Sequence, residues 1–482
     1  MVGRPRILDA IDALKGGDRR GAAALLKAEL ATNTTSGDGL IQLSRLALHI
    51  GEIELGVDAA RRVGLAEPTT VGRLLDYCGT LVSVGRSAEA VALIDRMPET
   101  ARNQPAVLHL SGTIASEMGD FERAEACLRA ALADDRRAPQ SWFALSMVKT
   151  FAAGDPDLAA MERVAQSLGR AGGPTQAQFH YALAKAYDDI GDIDRAFAHY
   201  AQGARFKRTD EPYDAQRTRA FGEGLMRDFT PTAMQRLKPS RFERQRAIFV
   251  NGLPRSGTTL TEQILVSHSQ VSDGAEVNLL RAALIPTINY GMANALAFDA
   301  RGGDDPWGDV ARDYHAMLAM RFRTPGLVVD KTLSQSMLMG LLLHSMPEAR
   351  VIWMRRNPAD VALSAYRSYF SSWVPWSWSW EDIAHQVRLE DELFAHWTAT
   401  FGERILVVPY EEMVREPQAW IPRLLAHAGL PDEPQVYEPH KTQRGVRTAS
   451  VKQVRSPIST SRIGAAERYR KQMQPFFDAY YG

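Results

Sequence analysis

The sequence contains little cysteine, no excess of charge of either sign and no long apolar run. Its 482 residues include only two cysteines, Cys78 and Cys127, which argues against a disulfide framework and gives no spacing for a metal site. Lys plus Arg number 57, as do Asp plus Glu, which argues against an extended nucleic-acid-binding surface. No uncharged run of about 18 apolar residues occurs, and Asp9 and Asp12 interrupt the segment where a signal peptide would be apolar. We therefore expect a cytoplasmic protein without a transmembrane segment.

Glycines recur in the first half at a constant interval. Gly17, Gly51, Gly85 and Gly119 are each separated by 34 residues, and a run with helical periodicity follows each of them. This is the period of the tetratricopeptide repeat (TPR), in which a short turn joins two antiparallel helices. Residues 118–128, with the sequence MGDFERAEACL, resemble this repeat strongly, whereas the copies before Gly85 resemble it weakly. The resemblance implies an α-helical solenoid, whose groove binds a peptide or a partner protein, or which serves only as a spacer.

Four short apolar runs alternate with helix-length segments in the second half. They are residues 247–250, 327–329, 350–354 and 405–408. This alternation predicts βα units and a central parallel sheet with helices on both faces, in which ligands bind beyond the carboxyl ends of the strands. The length is sufficient for two domains. We place a TPR-like solenoid at 1–205, a helical linker at 206–245 and the α/β domain at 246–482.

The first apolar run leads into a loop that contains two glycines. Gly252 and Gly257 bracket four residues, as in the phosphate-binding loop (P-loop), and an apolar periodic run follows. The backbone N–H groups of residues 256–259 would then point at an anion from the start of a helix. A site for a magnesium triphosphate needs a lysine where this chain has Thr258. A ligand with less charge, with Arg255 as the cation, fits this loop better.

Residues 254–260, with the sequence PRSGTTL, resemble the 5′-phosphosulfate loop of sulfotransferases that use 3′-phosphoadenosine-5′-phosphosulfate (PAPS). The likeness is greatest to the tyrosylprotein branch and to the bacterial repeat-linked branch. It implies a P-loop-like sulfotransferase domain that uses no metal and releases adenosine 3′,5′-bisphosphate (PAP). The loop residues that it implies in cofactor binding are Arg255, Ser256, Gly257, Thr258, Thr259 and Leu260.

Two further segments resemble cofactor-binding parts of the same family. Asn357 is a good N-cap and Pro358 suits the first helical position, so a helix should begin just after Arg356. Arg356 and Ser364 have the spacing of the family's 3′-phosphate site, where a guanidinium makes charge-assisted hydrogen bonds. Tyr410 resembles a tyrosine that contacts the cofactor in the family, although it could equally anchor the end of a strand.

Transfer of a sulfuryl group to a hydroxyl group requires a base and stabilisation of the leaving phosphate. In sulfotransferases of the tyrosylprotein type the base is a glutamate after the phosphosulfate loop. The resemblance assigns this role to Glu276, which a sharp turn at Gly274 would bring back over the loop. Glu262 competes with it, but we interpret Glu262 as a partner of the helix dipole. Lys331 resembles the lysine that donates to the sulfuryl group, although Leu333 replaces a proline of the family segment.

The C-terminal region is basic. Residues 441–471 contain nine Lys or Arg and one acid, a composition that usually indicates a solvated tail. Residues 446–457 nevertheless resemble a loop that closes over the cofactor in bacterial sulfotransferases. The resemblance implies that Ser450 approaches the transferring group and that Arg468 reaches a nucleotide phosphate.

Four tryptophans crowd one segment after the predicted 3′-phosphate helix, at Trp373, Trp376, Trp378 and Trp380. Such a cluster indicates a contact surface for the acceptor, for the repeats or for a second subunit of a homodimer. Burial against the repeats explains it equally well.

Two other functions stay open at this point. Asp330 ends an apolar run as a magnesium-binding aspartate would, which favours a P-loop kinase or NTPase. Alternatively, the repeats could act as a scaffold beside a catalytically silent domain. For the sulfotransferase, the glutamate base suggests peptide tyrosine as the acceptor, while a glycan, a lipid or a metabolite stays open.

Overall fold

The N-terminal half is a stack of antiparallel helix pairs in the computed structural model, which describes residues 6–32, 35–134, 138–167, 173–371, 374–442, 444–445 and 454–482. Its helices are Arg6–Lys15 (α1), Arg19–Ala31 (α2), Asp38–His49 (α3), Ile53–Gly64 (α4), Val71–Ser83 (α5), Ser87–Asp95 (α6), Glu99–Arg102 (α7), Pro105–Met118 (α8), Phe121–Asp134 (α9), Pro139–Val148 (α10), Pro156–Ser167 (α11), Gly173–Asp189 (α12) and Ile193–Asp210 (α13). None of the helices in these described ranges has the length and hydropathy needed to cross a bilayer.

The periodic glycines form the turns within the helix pairs. Gly17, Gly51, Gly85 and Gly119 have φ values of 79°, 83°, 78° and 85°, a left-handed conformation that glycine adopts without strain. These turns face the second half of the chain. A Cβ atom added at Gly51 would lie 2.0 Å from Met317 Sδ. The helical solenoid is confirmed, and its turns need glycine both for the backbone conformation and for this close approach.

The second half contains five parallel strands in the order β2-β3-β1-β4-β5. They are Ala247–Asn251 (β1), Val271–Ala275 (β2), Leu327–Asp330 (β3), Val351–Arg355 (β4) and Ile405–Pro409 (β5). The four predicted strands are confirmed, and β2 was not predicted. The prediction of a sharp turn at Gly274 is wrong, because this residue lies within β2 and pairs with Val329 of β3. With the sequence VSDGA, this edge strand has no alternating apolar pattern.

Helices cover the sheet on both faces and connect its strands, which confirms the predicted α/β class. They are preceded by two helices of the connecting region, Ala215–Asp228 (α14) and Pro231–Met234 (α15). The helices of the sheet domain are Thr258–Val266 (α16), Leu279–Ala283 (α17), Met292–Arg301 (α18), Pro306–Phe322 (α19), Met339–Ser345 (α20), Pro358–Tyr366 (α21), Trp380–Phe401 (α22), Tyr410–Arg415 (α23), Pro417–His427 (α24) and Gln474–Tyr481 (α25).

The buried core is continuous between the solenoid and the sheet domain. Leu81 of the solenoid and Met317 of α19 belong to one apolar cluster, and neither side chain is exposed. At the other end of the solenoid, the Tyr181 hydroxyl donates a hydrogen bond to the Tyr366 carbonyl oxygen at 3.0 Å. Helix α13 crosses residue 205, where we expected the solenoid to end, and continues to Asp210.

Three of the four clustered tryptophans are buried against the repeats. Trp376, Trp378 and Trp380 are at most 9% exposed. The ring centroid of Trp378 lies 6.0 Å from that of Tyr181 on α12. The segment therefore joins the two domains, as the interpretation of burial against the repeats predicts. Trp373 lies outside the described residues.

Glu390 is a buried carboxyl group on α22. Its side chain is 3% exposed, and the Ser336 hydroxyl donates a hydrogen bond to it at 2.7 Å. Burial raises the pKa of Glu390 to about 7, despite the opposing effects of Ser336 and Arg355. The folded state therefore binds this proton more tightly than the unfolded state does. The resulting stabilisation is present at low pH and is lost as the pH rises from about 4.5 towards 7.

We expect Glu390→Gln to raise the free energy of unfolding by about 2–3 kcal/mol at pH 8 and to leave it nearly unchanged at pH 5. The amide keeps an acceptor oxygen for Ser336 but does not ionise. Urea unfolding at the two pH values measures this difference. The exposed Glu403, just after α22, provides Glu403→Gln as a control that should change stability little at either pH. An equal change in the free energy of unfolding at pH 5 and pH 8 would contradict a raised pKa for Glu390.

Candidate active site

The loop between β1 and α16 has neighbouring atoms close to both of its glycines. Gly252 has a φ of 145° and Gly257 a φ of 105°. A Cβ atom would lie 2.7 Å from Ser256 Oγ at the first position and 2.5 Å from Tyr410 Cδ2 at the second. Arg255, between them, has a φ of 75°, which is uncommon for a residue with a side chain. The loop thus holds a constrained backbone directly before the N-terminus of α16, where a helix favours an anion.

A cavity of about 510 Å³ lies beside this loop. The loop, the carboxyl ends of β4 and β5, the C-terminal segment and one solenoid residue form its wall. The cofactor-binding residues that we predicted and that line it are Arg255, Gly257, Thr258, Thr259, Leu260, Arg356 and Tyr410. Ser256 is 2% exposed and does not line the cavity.

Arg356 links three parts of the cavity wall. As predicted, α21 begins at Pro358, and Asn357 Oδ1 caps it by accepting hydrogen bonds from two N–H groups. One nitrogen of the Arg356 guanidinium, Nη1, donates to the Arg255 carbonyl oxygen at 3.0 Å, and Nη2 donates to that of Arg462 at 2.6 Å. The guanidinium carbon lies 4.6 Å from the ring centroid of Tyr410.

Arg255 and Ser364 are brought together although they are far apart in sequence. Arg255 Nε donates a hydrogen bond to Ser364 Oγ at 2.8 Å. Burial lowers the pKa of Arg255 to about 10, and the positive charges of Arg356 and Arg462 lower it further. A cavity whose arginines repel one another is electrostatically suited to an anion.

The atoms around the cavity fit a nucleotide that carries phosphate groups. Arg356 lines the cavity, and its buried Nε has no hydrogen-bond partner among the residues that the structure describes. Unsatisfied buried donors are costly, so a ligand that accepts hydrogen bonds would relieve them. The cavity volume lies within the range of small-molecule and cofactor sites.

Glu276 and Lys331 line a second cavity of about 310 Å³. Glu276 follows the end of β2, and Lys331 follows the end of β3, so both lie at the same edge of the sheet. Lys331 Nζ lies 2.8 Å from Glu276 Oε1. Burial alone would lower the pKa of Lys331, but the carboxylates of Glu262 and Glu276 outweigh it and raise the pKa. The lysine therefore stays charged beside Glu276.

Glu262, on α16, lines the cavity of Glu276 and Lys331. It is 2% exposed, and its Oε2 lies 3.7 Å from Lys331 Nζ and 3.2 Å from Arg444 Nη2. Our interpretation of Glu262 as a partner of the helix dipole is wrong, because it lies beyond the first turn of α16 and forms buried ion pairs. Lys331 therefore has two carboxylate partners, the buried Glu262 and Glu276, whose side chain is 35% exposed.

Asp330 has its carboxylate oxygens occupied by neighbouring side chains. Tyr314 donates to Oδ2 at 2.7 Å, and Thr332 and Gln335 donate to Oδ1 at 2.6 and 2.9 Å. The residue is 1% exposed. This arrangement fits a role in orienting the Lys331 segment and offers little room for the magnesium ligand of an NTPase.

The C-terminal segment contributes residues that sequence reasoning did not single out. Arg455 and Arg462 line the larger cavity, whereas Arg468 does not line it and lies with its guanidinium carbon 5.4 Å from the Tyr469 ring centroid. The basic composition of 441–471 signals this region but not the individual arginines. Phe121, at the start of α9, also lines the cavity, and no sequence signal separates it from an ordinary repeat residue. Ser450 lies outside the described residues.

Comparison with known families matches both halves of the chain. Residues 247–434 match the sequence model of the Sulfotransferase family, and residues 105–133 match that of the Tetratricopeptide repeat. A protein of Aquifex aeolicus strain VF5, described as uncharacterised, is 31% identical over 319 residues. This match covers 63% of the present chain and 41% of that curated relative, so the chain spans less than half of the relative's length.

Solved structures that resemble this chain include bacterial sulfotransferases. The sulfotransferase domain of the Synechococcus PCC 7002 olefin synthase is 20% identical, with a TM-score of 0.34, and the match covers 48% of this chain and 90% of that one. The sulfotransferase STF9 from Mycobacterium avium is 16% identical, with a TM-score of 0.29, and the match covers 69% of this chain and 96% of that one.

Proposed function

We propose that this chain, whose residues 247–434 match the sulfotransferase family model, transfers a sulfuryl group from PAPS to the hydroxyl group of an acceptor. The observation that carries the proposal is the position of the β1–α16 loop, Arg255 and Arg356 around one cavity of about 510 Å³. Backbone donors at a helix N-terminus and two guanidinium groups form a site for two separate phosphate groups.

The roles of the cavity residues follow from their positions. Residues 255–260 would bind the 5′-phosphosulfate, and Arg356 and Ser364 would bind the 3′-phosphate. Ser364 does not line the cavity, but its Oγ accepts a hydrogen bond from Arg255 Nε at 2.8 Å, so the two predicted phosphate sites are in direct contact. Arg462, which lines the cavity, is a better candidate for a nucleotide phosphate than Arg468. Tyr410 would position Arg356 and close the loop side of the site, since its ring contacts both.

Glu276 is the proposed general base. When bound, PAPS supplies the sulfuryl group and a phosphate leaving group. Glu276 would take the proton of the acceptor hydroxyl as the acceptor oxygen forms a bond to sulfur. The bond between sulfur and the phosphate oxygen breaks, and its electron pair stays on that oxygen. Lys331, held 2.8 Å from Glu276, would stabilise the developing negative charge. Ser450 stays a predicted further contact of the transferring group.

Binding of nucleotides tests the proposal against the kinase or NTPase alternative. We expect PAP to bind without added metal at least a hundredfold more tightly than ATP with Mg²⁺, because the loop has Thr258 where a triphosphate needs lysine. Isothermal titration calorimetry of both ligands measures this ratio. A preference for Mg-ATP would overturn the proposal.

Transfer of labelled sulfate distinguishes an enzyme from a scaffold with a silent domain. Purified protein with ³⁵S-labelled PAPS should label hydroxyl compounds in fractionated cell extracts, and tyrosine-containing peptides should be included with glycans, lipids and metabolites. Peptide tyrosine is the acceptor that the glutamate base favours. Binding of PAP without any labelled product would support the silent domain.

A further inference from the structure

The solenoid forms part of the wall around the proposed base. The cavity that contains Glu276 and Lys331 is closed on its other side by residues of α6, α8 and the turn before α6. These solenoid residues are Gly85, Ser87, Ala88, Glu117 and Met118. An acceptor whose hydroxyl group reaches Glu276 would therefore lie against the repeats as well as against the sheet domain.

A further cavity of about 320 Å³ lies within the solenoid, between α6, α8 and α9. Its inner wall includes the apolar side chains of Val91, Ile94 and Ile114, and the last two are 6% and 1% exposed. Charged residues occur only at positions that are exposed, among them Asp120 and Arg123. The cavity therefore suits an uncharged apolar group and offers few partners to the hydroxyl groups of a sugar.

This apolar cavity and the cavity of Glu276 share three wall residues. Ser87, Ala88 and Met118 line both of them. Met118 is 49% exposed, and it is one of few large apolar side chains in the described part of the chain that are so accessible. Methionine adapts its shape readily to an apolar ligand. The two spaces therefore adjoin, with an accessible thioether between them.

We propose that the acceptor carries an uncharged apolar substituent, which the solenoid cavity holds while the hydroxyl group lies at Glu276. This inference rests on the proposed function, and it narrows the acceptor to apolar hydroxyl compounds and away from charged or sugar acceptors. The repeats then select the substrate by direct contact. Each methylene group that enters the cavity should increase affinity about fourfold.

The experiment uses 4-hexylphenol and phenol as probes that share one hydroxyl group and differ in the apolar chain. Each is titrated calorimetrically into the full chain, with and without saturating PAP. Ala88→Phe places a ring in the wall common to both cavities. Ala92→Phe is the matched control, because Ala92 is also an exposed residue of α6 but lines neither cavity.

For the unmodified chain and Ala92→Phe we expect 4-hexylphenol to bind at least tenfold more tightly than phenol. In Ala88→Phe that affinity should fall at least tenfold, while PAP affinity stays within twofold. Equal binding of the two phenols by the unmodified chain would overturn the inference, as would unchanged 4-hexylphenol binding by Ala88→Phe. Failure of PAP to bind while the phenol pattern holds would instead count against the proposed function alone.

Discussion

Glu276→Gln is expected to lower kcat for sulfuryl transfer by about 10³-fold while leaving the affinity for PAP within twofold. Glutamine keeps the size of the side chain but cannot accept the proton of the acceptor hydroxyl. The residue is partly exposed and does not line the cavity of the β1–α16 loop, and Glu262 stays as a carboxylate partner of Lys331. The substitution should therefore disturb neither folding nor nucleotide binding. The measurement combines single-turnover transfer from ³⁵S-labelled PAPS with calorimetry of PAP.

Asp273→Asn is the matched control for this prediction. Asp273 lines the same cavity, and its carboxylate lies 3.4 Å from Arg444 Nη1 rather than beside Lys331. We expect this variant to lose less than tenfold in kcat. Retention of most activity by Glu276→Gln, or an equal loss in both variants, would show that Glu276 is not the base.

Arg356→Ala is expected to weaken PAP binding at least a hundredfold. Hydrogen bonds to charged groups each contribute about 1.5–3 kcal/mol, and the guanidinium offers two or more to a phosphate. The side chain is 9% exposed and holds the carbonyl oxygens of Arg255 and Arg462, so its removal also loosens the cavity wall. Arg356→Lys keeps the charge without the planar fork and should lose about tenfold.

Arg468→Ala serves as the control for Arg356→Ala. This arginine lies in the same basic region of the sequence as Arg462 and is also exposed, but unlike Arg462 it does not line the cavity. We expect its PAP affinity to change less than twofold. Thermal unfolding of both variants shows whether a loss of binding reflects a loss of structure. If Arg468→Ala weakened PAP binding as much as Arg356→Ala, Arg468 would bind a nucleotide phosphate, as the sequence resemblance implies.

The loop cavity and the cavity of Glu276 give a physical reason for joining a solenoid to a sheet domain in one chain. The solenoid and the sheet domain share a continuous apolar core, and solenoid residues line both the loop cavity and the cavity of Glu276. Cavities that both domains line can form only when the two domains pack against each other. The glycine turns allow this, because larger residues at Gly51 or Gly85 would collide with Met317 or Arg321.

Local patterns in the sequence were sufficient for the features that depend on near neighbours along the chain. The turn glycines, the four apolar strands, the β1–α16 loop and the Asn357 cap all appear at or within a few residues of where the sequence indicates them. Each depends on backbone conformation or periodicity within a few residues. Strand β2 was not predicted, because its polar sequence has no strand pattern of its own. Pairing with β3 places this segment in the sheet as an edge strand.

The sequence by itself therefore determined the two classes of fold, the 34-residue period and the positions of the loop and helix caps. Only the tertiary structure decided which distant residues meet. It placed Arg255 in a hydrogen bond with Ser364 and Lys331 beside Glu276. It also placed the solenoid residues Phe121 and Met118 in cavity walls with residues of the sheet domain. Short-range signals arise from turn chemistry and hydrophobic period, which act over one or two turns. Contacts between domains depend on how whole helices pack, which no local spacing records.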